Sequence, residues 1–278
     1  MSASRGRELV QEQLRKVAAR ATHQVALRQG RELGIVLGCG YPKSGTVWLC
    51  QLLGTYLDLP YPRSYLAPIA MAAVVHGHWD YDQRLPKTVY VTRDGRDVLV
   101  SLYFHNMRIL TGSRNPRRRQ ELARRYRAAF GPNFDATNSR ANLKRFLELE
   151  IENPTGAHGT WADHVNDWAC GRPDVALTRY EDLLTDTATT IATAAETLQL
   201  RERDMERAEA TAALHAFAAK SARKPGEEDR SSFLRKGIAG DWKNHFTSEA
   251  ARLFDEVAGD ALLKAGYEAD RNWISSVE

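Results

Sequence analysis

Residues 37–49, "LGCGYPKSGTVWL", set Lys43, Ser44, Gly45 and Thr46 in a row between an apolar run that reads as a strand and a second that reads as a helix. Gly38, Gly40 and Gly45 let the backbone approach a ligand closely. The amides of residues 44–47 would face outward at a helix N-terminus, where the dipole and the unsatisfied N–H groups favour an anion. Lys43 adds a mobile charge, and Ser44 and Thr46 add hydroxyl donors. A triphosphate loop of the G-x-x-x-x-G-K-[ST] type places its lysine after the last glycine, whereas Lys43 precedes Gly45. The competing reading is a tight strand-to-helix turn capped by Ser or Thr. A lysine among so many donors favours phosphate.

Two more segments carry anion-reading residues. In "VTRDGRDVLVSLYFH" (91–105) Arg93 ends a strand, and Ser101 lies two helical turns into the next element. The two meet on one group only if the intervening loop folds back. A nucleotide kinase would set a magnesium-holding aspartate at the strand end; an arginine there points instead to an anionic group read by a guanidinium fork. The alternative is a structural ion pair with Asp94 or Asp97. In "FLRKGIAGDWKNHFT" (233–247) Arg235 and Lys236 stand beside Gly237, a ready phosphate site, and Phe233 offers a face to a base. A solvated basic turn is the plainer reading.

The elements that must hold these residues alternate. Residues 5–28 pattern as a helix with Leu9, Leu14, Val17 and Val25 loosely on one face. "GIVLGC" (34–39) reads as a strand and 46–58 as a helix with Trp48, Leu49, Leu52, Leu53 and Leu57 as its apolar stripe. "KTVYVTR" (87–93) is expected as the second strand, with a helix over 97–110, and "DVALTRYEDL" (174–183) as a third strand turning helical near Glu181. Strands alternating with helices imply an α/β fold, three-layer α/β/α with a central parallel sheet. Such sheets bind ligands at the carboxyl ends of their strands, where the loop after Cys39 and Arg93 both fall.

At 278 residues, with 43% hydrophobic and 27% charged residues, the chain suits one globular domain over 1–278, with 1–30 as a helical extension. Segments 112–140 and 220–237 are the most irregular and are expected to be mobile covers for acceptor or cofactor. A net charge of +4, from 39 basic and 35 acidic residues, is too mild for a nucleic-acid coat but compatible with a local anion site. Cys39, Cys50 and Cys170 have no metal-ligand spacing and suggest reduced thiols. The N-terminus lacks an apolar core of the signal-peptide kind, and the longest nearly apolar run, 66–75, is too short to span a bilayer, so a cytoplasmic protein is expected. The arginine-rich run 114–127 alternates with Leu122 and Tyr126, the pattern of an amphipathic helix with a solvated basic face.

Taken together the three segments resemble the cytosolic sulfotransferases, which use 3′-phosphoadenosine 5′-phosphosulfate (PAPS). "YPKSGTVW" (41–48) matches that family's "YPKSGTTW" except at Val47, where a hydroxyl contact to the 5′-phosphate is lost. The resemblance implies a P-loop-like sulfotransferase fold, PAPS as donor, PAP as product and no metal. It implies that Lys43, Ser44, Gly45, Thr46, Val47 and Trp48 hold the 5′-phosphosulfate. Arg93 and Ser101 would hold the 3′-phosphate, Tyr180 would lie near the adenine, and Phe233, Leu234, Arg235, Lys236 and Gly237 would complete the grip. It also implies that Lys43 stabilises the leaving phosphate, that Ser101 restrains Lys43 until the acceptor arrives, and that His78 is the general base. His76 stands where the family has lysine. His105 reads as packing at the edge of an acceptor pocket, His164 as structural and His245 as surface. The acceptor would be a small alcohol, phenol or amine, with no nucleic acid or membrane span involved. Of the family's dimer segment, Lys243, Phe246 and Thr247 match while Ser248 and Arg252 depart from it. The rival readings are a P-loop-type nucleotide kinase and a non-catalytic PAP binder.

Overall fold

A computed structural model describes residues 2–63, 65–112, 116–132 and 134–277. The chain forms two compact units, each drawn from three stretches of sequence. The first comprises Met1–Gly40, Gly45–Val91 and Cys170–His215, the second Tyr41–Ser44, Thr92–Ala169 and Ala216–Glu278.

The first unit is built on a sheet of order β2-β1-β3-β4, with β1 Val36–Cys39, β2 Val74–Gly77, β3 Thr88–Thr92 and β4 Val175–Arg179. β1 pairs in parallel with β2, Val36 opposite Val74, and with β3, Leu37 opposite Thr88. Every residue of β1 and β3 is buried, so these strands show no polar alternation. β2 was not anticipated. Its four residues, "VVHG", are too few to show a period, and they make "KTVYVTR" the third strand in sequence. His76 therefore lies on a strand and His78 just beyond its carboxyl end.

The helices of this unit are α1 Ser2–Gln29, α2 Thr46–Leu57, α7 Tyr180–Thr185, α8 Thr187–Thr197 and α9 Met205–His215. Leu49, Leu52, Leu53 and Tyr56 of α2 join Val36, Val74, Val89, Leu183, Ile191 and Ala195 in one core. Truncating a leucine such as Leu53 to alanine there would cost about 2–5 kcal/mol. The expected apolar face of α1 is not the buried one. Ala18, Thr22 and Ala26, spaced four apart, are buried, while Val10, Leu14 and Val17 are exposed and Val25 is half-buried. Small side chains let this helix approach closely, and the Thr22 hydroxyl accepts the Ile69 amide at 3.0 Å. The side chain of Leu9 lies outside the described residues.

The second unit is helical: α3 Gly95–Gly112, α4 Pro116–Phe130, α5 Ser139–Glu152, α6 Trp161–Trp168, α10 Phe217–Ser221 and α11 Ser248–Lys264, with 3₁₀ turns at Asp241–Asn244 and Arg271–Ser276. Leu102, Tyr103, Phe146, Val165, Phe246 and Leu262 form its core. Segment 112–140 is thus less irregular than expected. In α4 Leu122 and Tyr126 are buried, while Arg117, Arg118, Arg119, Arg124 and Arg127 are exposed. Arg125 leaves that face to donate to the carbonyls of Leu149 (2.7 Å) and Asn153 (2.8 Å). Arg114, with its neighbours at 113 and 115, lies outside the described residues. Segment 220–237 folds back on itself: the Gly226 amide donates to Lys236 O and the Asp229 amide to Arg235 O, both at 2.8 Å.

Candidate active site

The loop after β1 opens α2 without a side-chain cap. Gly45 is the N-cap residue, with φ 96° and ψ 11° in the left-handed region. The capped-turn reading of Ser44 and Thr46 therefore fails. Instead, Ser44 Oγ and Thr46 Oγ1 are each buried without a hydrogen-bond partner. A buried hydroxyl left so costs about 1–3 kcal/mol, and the first amides of α2 have no intrahelical partner either. Both fit a ligand rich in acceptor oxygens.

Tyr180, the first residue of α7, is what shapes this turn. A Cβ at Gly45 would stand 2.6 Å from its ring, so glycine is required by space as well as by φ. The ring also meets Trp48 edge-on at 5.9 Å, and the Trp48 indole donates to the carbonyl of His215 at 3.0 Å. Val47 is half-buried beside them.

His78 is oriented by backbone. Its Nδ1 stands 2.5 Å from the carbonyl oxygen of Gly40. A carbonyl only accepts, so Nδ1 carries the hydrogen, and Nε2 is the ring nitrogen through which His78 could take up a proton. His76 meets this ring edge-on at 4.6 Å. Burial, with His78 and Arg63 nearby, pushes the pKa of His76 down to about 3. It is neutral, and supplies no counterpart to the cation of the family's lysine.

Lys43, in the second unit, has φ 75°, a left-handed non-glycine residue that the sequence did not announce. Such strain costs on the order of 1–3 kcal/mol and gathers at functional sites. Its ammonium lies 4.3 Å from the centre of the Phe233 ring, so Phe233 serves as a platform for the lysine as well as a face of its own. Burial first, then the cations Arg93, Arg108 and Arg235, drive the Lys43 pKa down to about 7.

Arg93 follows β3 directly and donates to the carbonyls of Lys43 (3.3 Å) and Ile238 (3.2 Å), while the Trp161 indole donates to the carbonyl of Arg93 at 3.1 Å. The structural ion pair weighed as an alternative is loose, 3.9 Å to Asp97. Asp94 is engaged by Arg96, and Asp97 accepts the amides of Gly240 (2.7 Å) and Trp242 (2.9 Å). Ser101 sits half-buried on α3.

Arg235 and Lys236 are not a solvated turn. Each meets the buried Asp241 carboxylate at 2.5 Å, and Arg235 also pairs with Glu228. Burial alone would raise the Asp241 pKa, but hydrogen bonds from His245, Lys236 and Arg235 hold it far below the carboxylate range. The Leu234 carbonyl accepts from Arg223, and Gly237, at φ 65°, has the Phe217 ring where a Cβ would project. His245, expected at the surface, is buried between Ser139 Oγ (2.8 Å) and Asp241 (3.3 Å). Two residues of the dimer segment have intrachain roles: Phe246 is fully buried and Thr247 caps α11. Asp241 and Arg108 are contributors that motif reading overlooked, while Asp97 was weighed only as a partner of Arg93 and His105 only as packing. The i, i+4, i+7 spacing of Ser101, His105 and Arg108 is the sequence signal that could have found Arg108.

Among the described residues no helix is long and apolar enough to cross a membrane, and no group of three or more His, Cys, Asp or Glu is placed to hold a metal.

Comparison with known proteins matches residues 76–266 to the Sulfotransferase domain family. Sulfotransferase 2B1 of Rattus norvegicus is 30% identical over 183 residues, 62% of this chain and 46% of the relative. The chain thus aligns with under half of that protein's length. The 3-alpha-hydroxysteroid sulfotransferase of Cavia porcellus is 25% identical over 82% of each chain. A mouse sulfotransferase solved with PAP superposes with a TM-score of 0.60 at 22% identity, covering 92% of each chain. Retinol dehydratase, solved with retinol and PAP, gives 0.57 at 19% identity, covering 84% of this chain and 82% of its own. Those two likenesses establish the fold, a parallel sheet flanked by helices, and the domain match covers most of the chain: it belongs to the Sulfotransferase domain family.

Proposed function

We propose that this chain moves the sulfuryl group of PAPS to a hydroxyl or amine of a small-molecule acceptor by in-line displacement at sulfur. The observation that carries the reading is the 41–48 loop, with buried Ser44 and Thr46 hydroxyls that no protein group satisfies and a glycine N-cap between them. Bound PAPS would supply the sulfuryl group and the phosphate leaving group. Gly45, Val47 and Trp48 would add their amides to the two hydroxyls, and Arg93 and Ser101 would take the 3′-phosphate. Tyr180 would flank the adenine, and residues 233–237 would close the grip. Lys43 would donate toward the bridging oxygen, where negative charge grows. Ser101 would hold that ammonium back until the acceptor arrives.

His78 is the proposed general base. With the hydrogen on Nδ1 directed at Gly40 O, Nε2 is the ring nitrogen that would take the acceptor's proton. Such a base contributes about 100- to 10,000-fold in rate. Relatives named for hydroxysteroids, and a neighbour solved with retinol, support a hydroxyl acceptor. Neither unit is continuous in sequence, so we read 1–278 as one catalytic domain, working in the cytoplasm.

The test is turnover of PAPS with a panel of alcohols, phenols and amines in EDTA, products read by mass spectrometry, beside calorimetry with PAP. Sulfated product in EDTA and micromolar PAP binding are expected. A preference for ATP with magnesium would identify a kinase, and PAP binding without any product would identify a binder. Either result overturns the proposal.

A further inference from the structure

The cations around Lys43 include one that no donor-binding motif uses. Arg108 stands on α3, seven residues after Ser101 and three after His105. Seven residues are two helical turns, about 10 Å along the axis, so the three share one face. All three are half-buried, whereas Leu102, Tyr103, Phe104, Asn106, Met107 and Ile109 around them are buried. This face is the part of the mid-helix that remains open to a ligand.

A line of contacts joins it to the lysine. The Lys43 ammonium lies 4.3 Å from the Phe233 ring, that ring meets His105 edge-on at 6.4 Å, and His105 Nδ1 is 3.4 Å from an Arg108 guanidinium nitrogen. Among the described residues His105 is the one hydrogen-bond partner of Arg108, and no carboxylate pairs with it. Burial, then Lys43, Arg108 and Arg118, pushes the pKa of His105 down to about 3, so it is a neutral neighbour. A half-buried guanidinium facing only a neutral imidazole, among other cations, is an unbalanced charge. A planar donor fork of this kind is suited to a carboxylate or a phosphate.

Resting on the proposed function, we propose that Arg108, positioned by His105, reads an anionic group on the acceptor, so that the preferred substrates are hydroxy acids or phosphorylated alcohols in place of neutral ones. The same chemistry could come from the donor, since PAPS also carries phosphate. The contact line favours the acceptor, because it starts at the lysine proposed to face the sulfuryl end.

The experiment compares neutral and anionic isosteres of one phenol, phenol-4-ethanol against 4-hydroxyphenylacetate, in wild type, Arg108→Met and Arg108→Lys, with PAP affinity measured on each. Expected is a wild-type kcat/KM at least tenfold higher for the acid. Arg108→Met should lower that ratio tenfold or more, mainly through KM, and Arg108→Lys should keep most of it. PAP affinity should shift less than threefold, which also certifies the fold of each variant. An unchanged ratio overturns the inference while leaving sulfuryl transfer intact. An equal loss of PAP affinity assigns Arg108 to the donor and overturns it too. Failure of the wild type to bind PAP defeats the underlying function instead.

Discussion

The ring of Tyr180 occupies the space that a side chain at Gly45 would need, 2.6 Å from a Cβ built there. The first residue of α7 thus excludes a side chain at the N-cap of α2, where the left-handed φ also favours glycine. Gly45→Ala would add a left-handed alanine, about 1–2 kcal/mol, to a steric clash of about 1–3 kcal/mol. We expect a loss of roughly 2–5 kcal/mol in denaturant unfolding and a fall in PAP affinity. In a double-mutant cycle, Tyr180→Ala should recover the clash and leave the backbone part. A single-mutant cost below about 0.5 kcal/mol would show that the loop adjusts freely.

His78 offers a sharper separation of binding from chemistry. With Nδ1 committed to Gly40 O, asparagine can keep that one hydrogen bond but has no basic nitrogen. His78→Asn is expected to lower kcat by about 100- to 10,000-fold while PAP affinity changes less than threefold. If kcat survives, the base lies elsewhere.

Lys43 makes the chain's stability and its donor binding depend on pH in a defined direction. Its folded pKa is about 7, against about 10.4 when unfolded. Between those values the unfolded chain binds the extra proton, so stability rises with pH across that window and the contribution is flat below 7. Lys43→Met should therefore be more stable than wild type at pH 6, with the difference vanishing towards pH 10. An anionic donor reverses the balance by favouring the ammonium. Titrating PAP at pH 8 in two buffers of different ionisation enthalpy should show uptake of up to one proton, absent in Lys43→Met. Equal observed heats in the two buffers would mean that no proton is taken up and that the donor does not meet this lysine.

How much of this was readable in sequence depended on whether the signal was local. The 41–48 loop, Arg93 and the strands at 36–39, 88–92 and 175–179 announce themselves by glycine spacing and apolar runs. β2 did not, because four residues have no period. The buried face of α1 was misread because burial there follows small residues that let the helix approach, and leucine and valine face outward. The pairing of Arg235 and Lys236 with Asp241 needs a turn five to six residues long, which a charge pattern does not encode. Likewise, His245 looked like surface because nothing in its neighbours names Ser139, over a hundred residues away, as its partner.

Val47 permits a prediction of gain. It half-faces solvent at the second position of α2, between Thr46 and Trp48, at the point where the family's motif carries threonine. Valine and threonine are nearly isosteric, and both are β-branched, so the exchange should disturb neither the helix nor its packing. A hydroxyl there would meet the same anion as the Ser44 and Thr46 hydroxyls. A hydrogen bond to a charged group is worth about 1.5–3 kcal/mol at best, and partial exposure reduces it. Val47→Thr is therefore expected to tighten PAP binding by about 3- to 30-fold, with unchanged thermal stability of the free protein. Calorimetry reads the affinity directly, and a variant that binds PAP no better than wild type would mean that residue 47 does not face the 5′-phosphate.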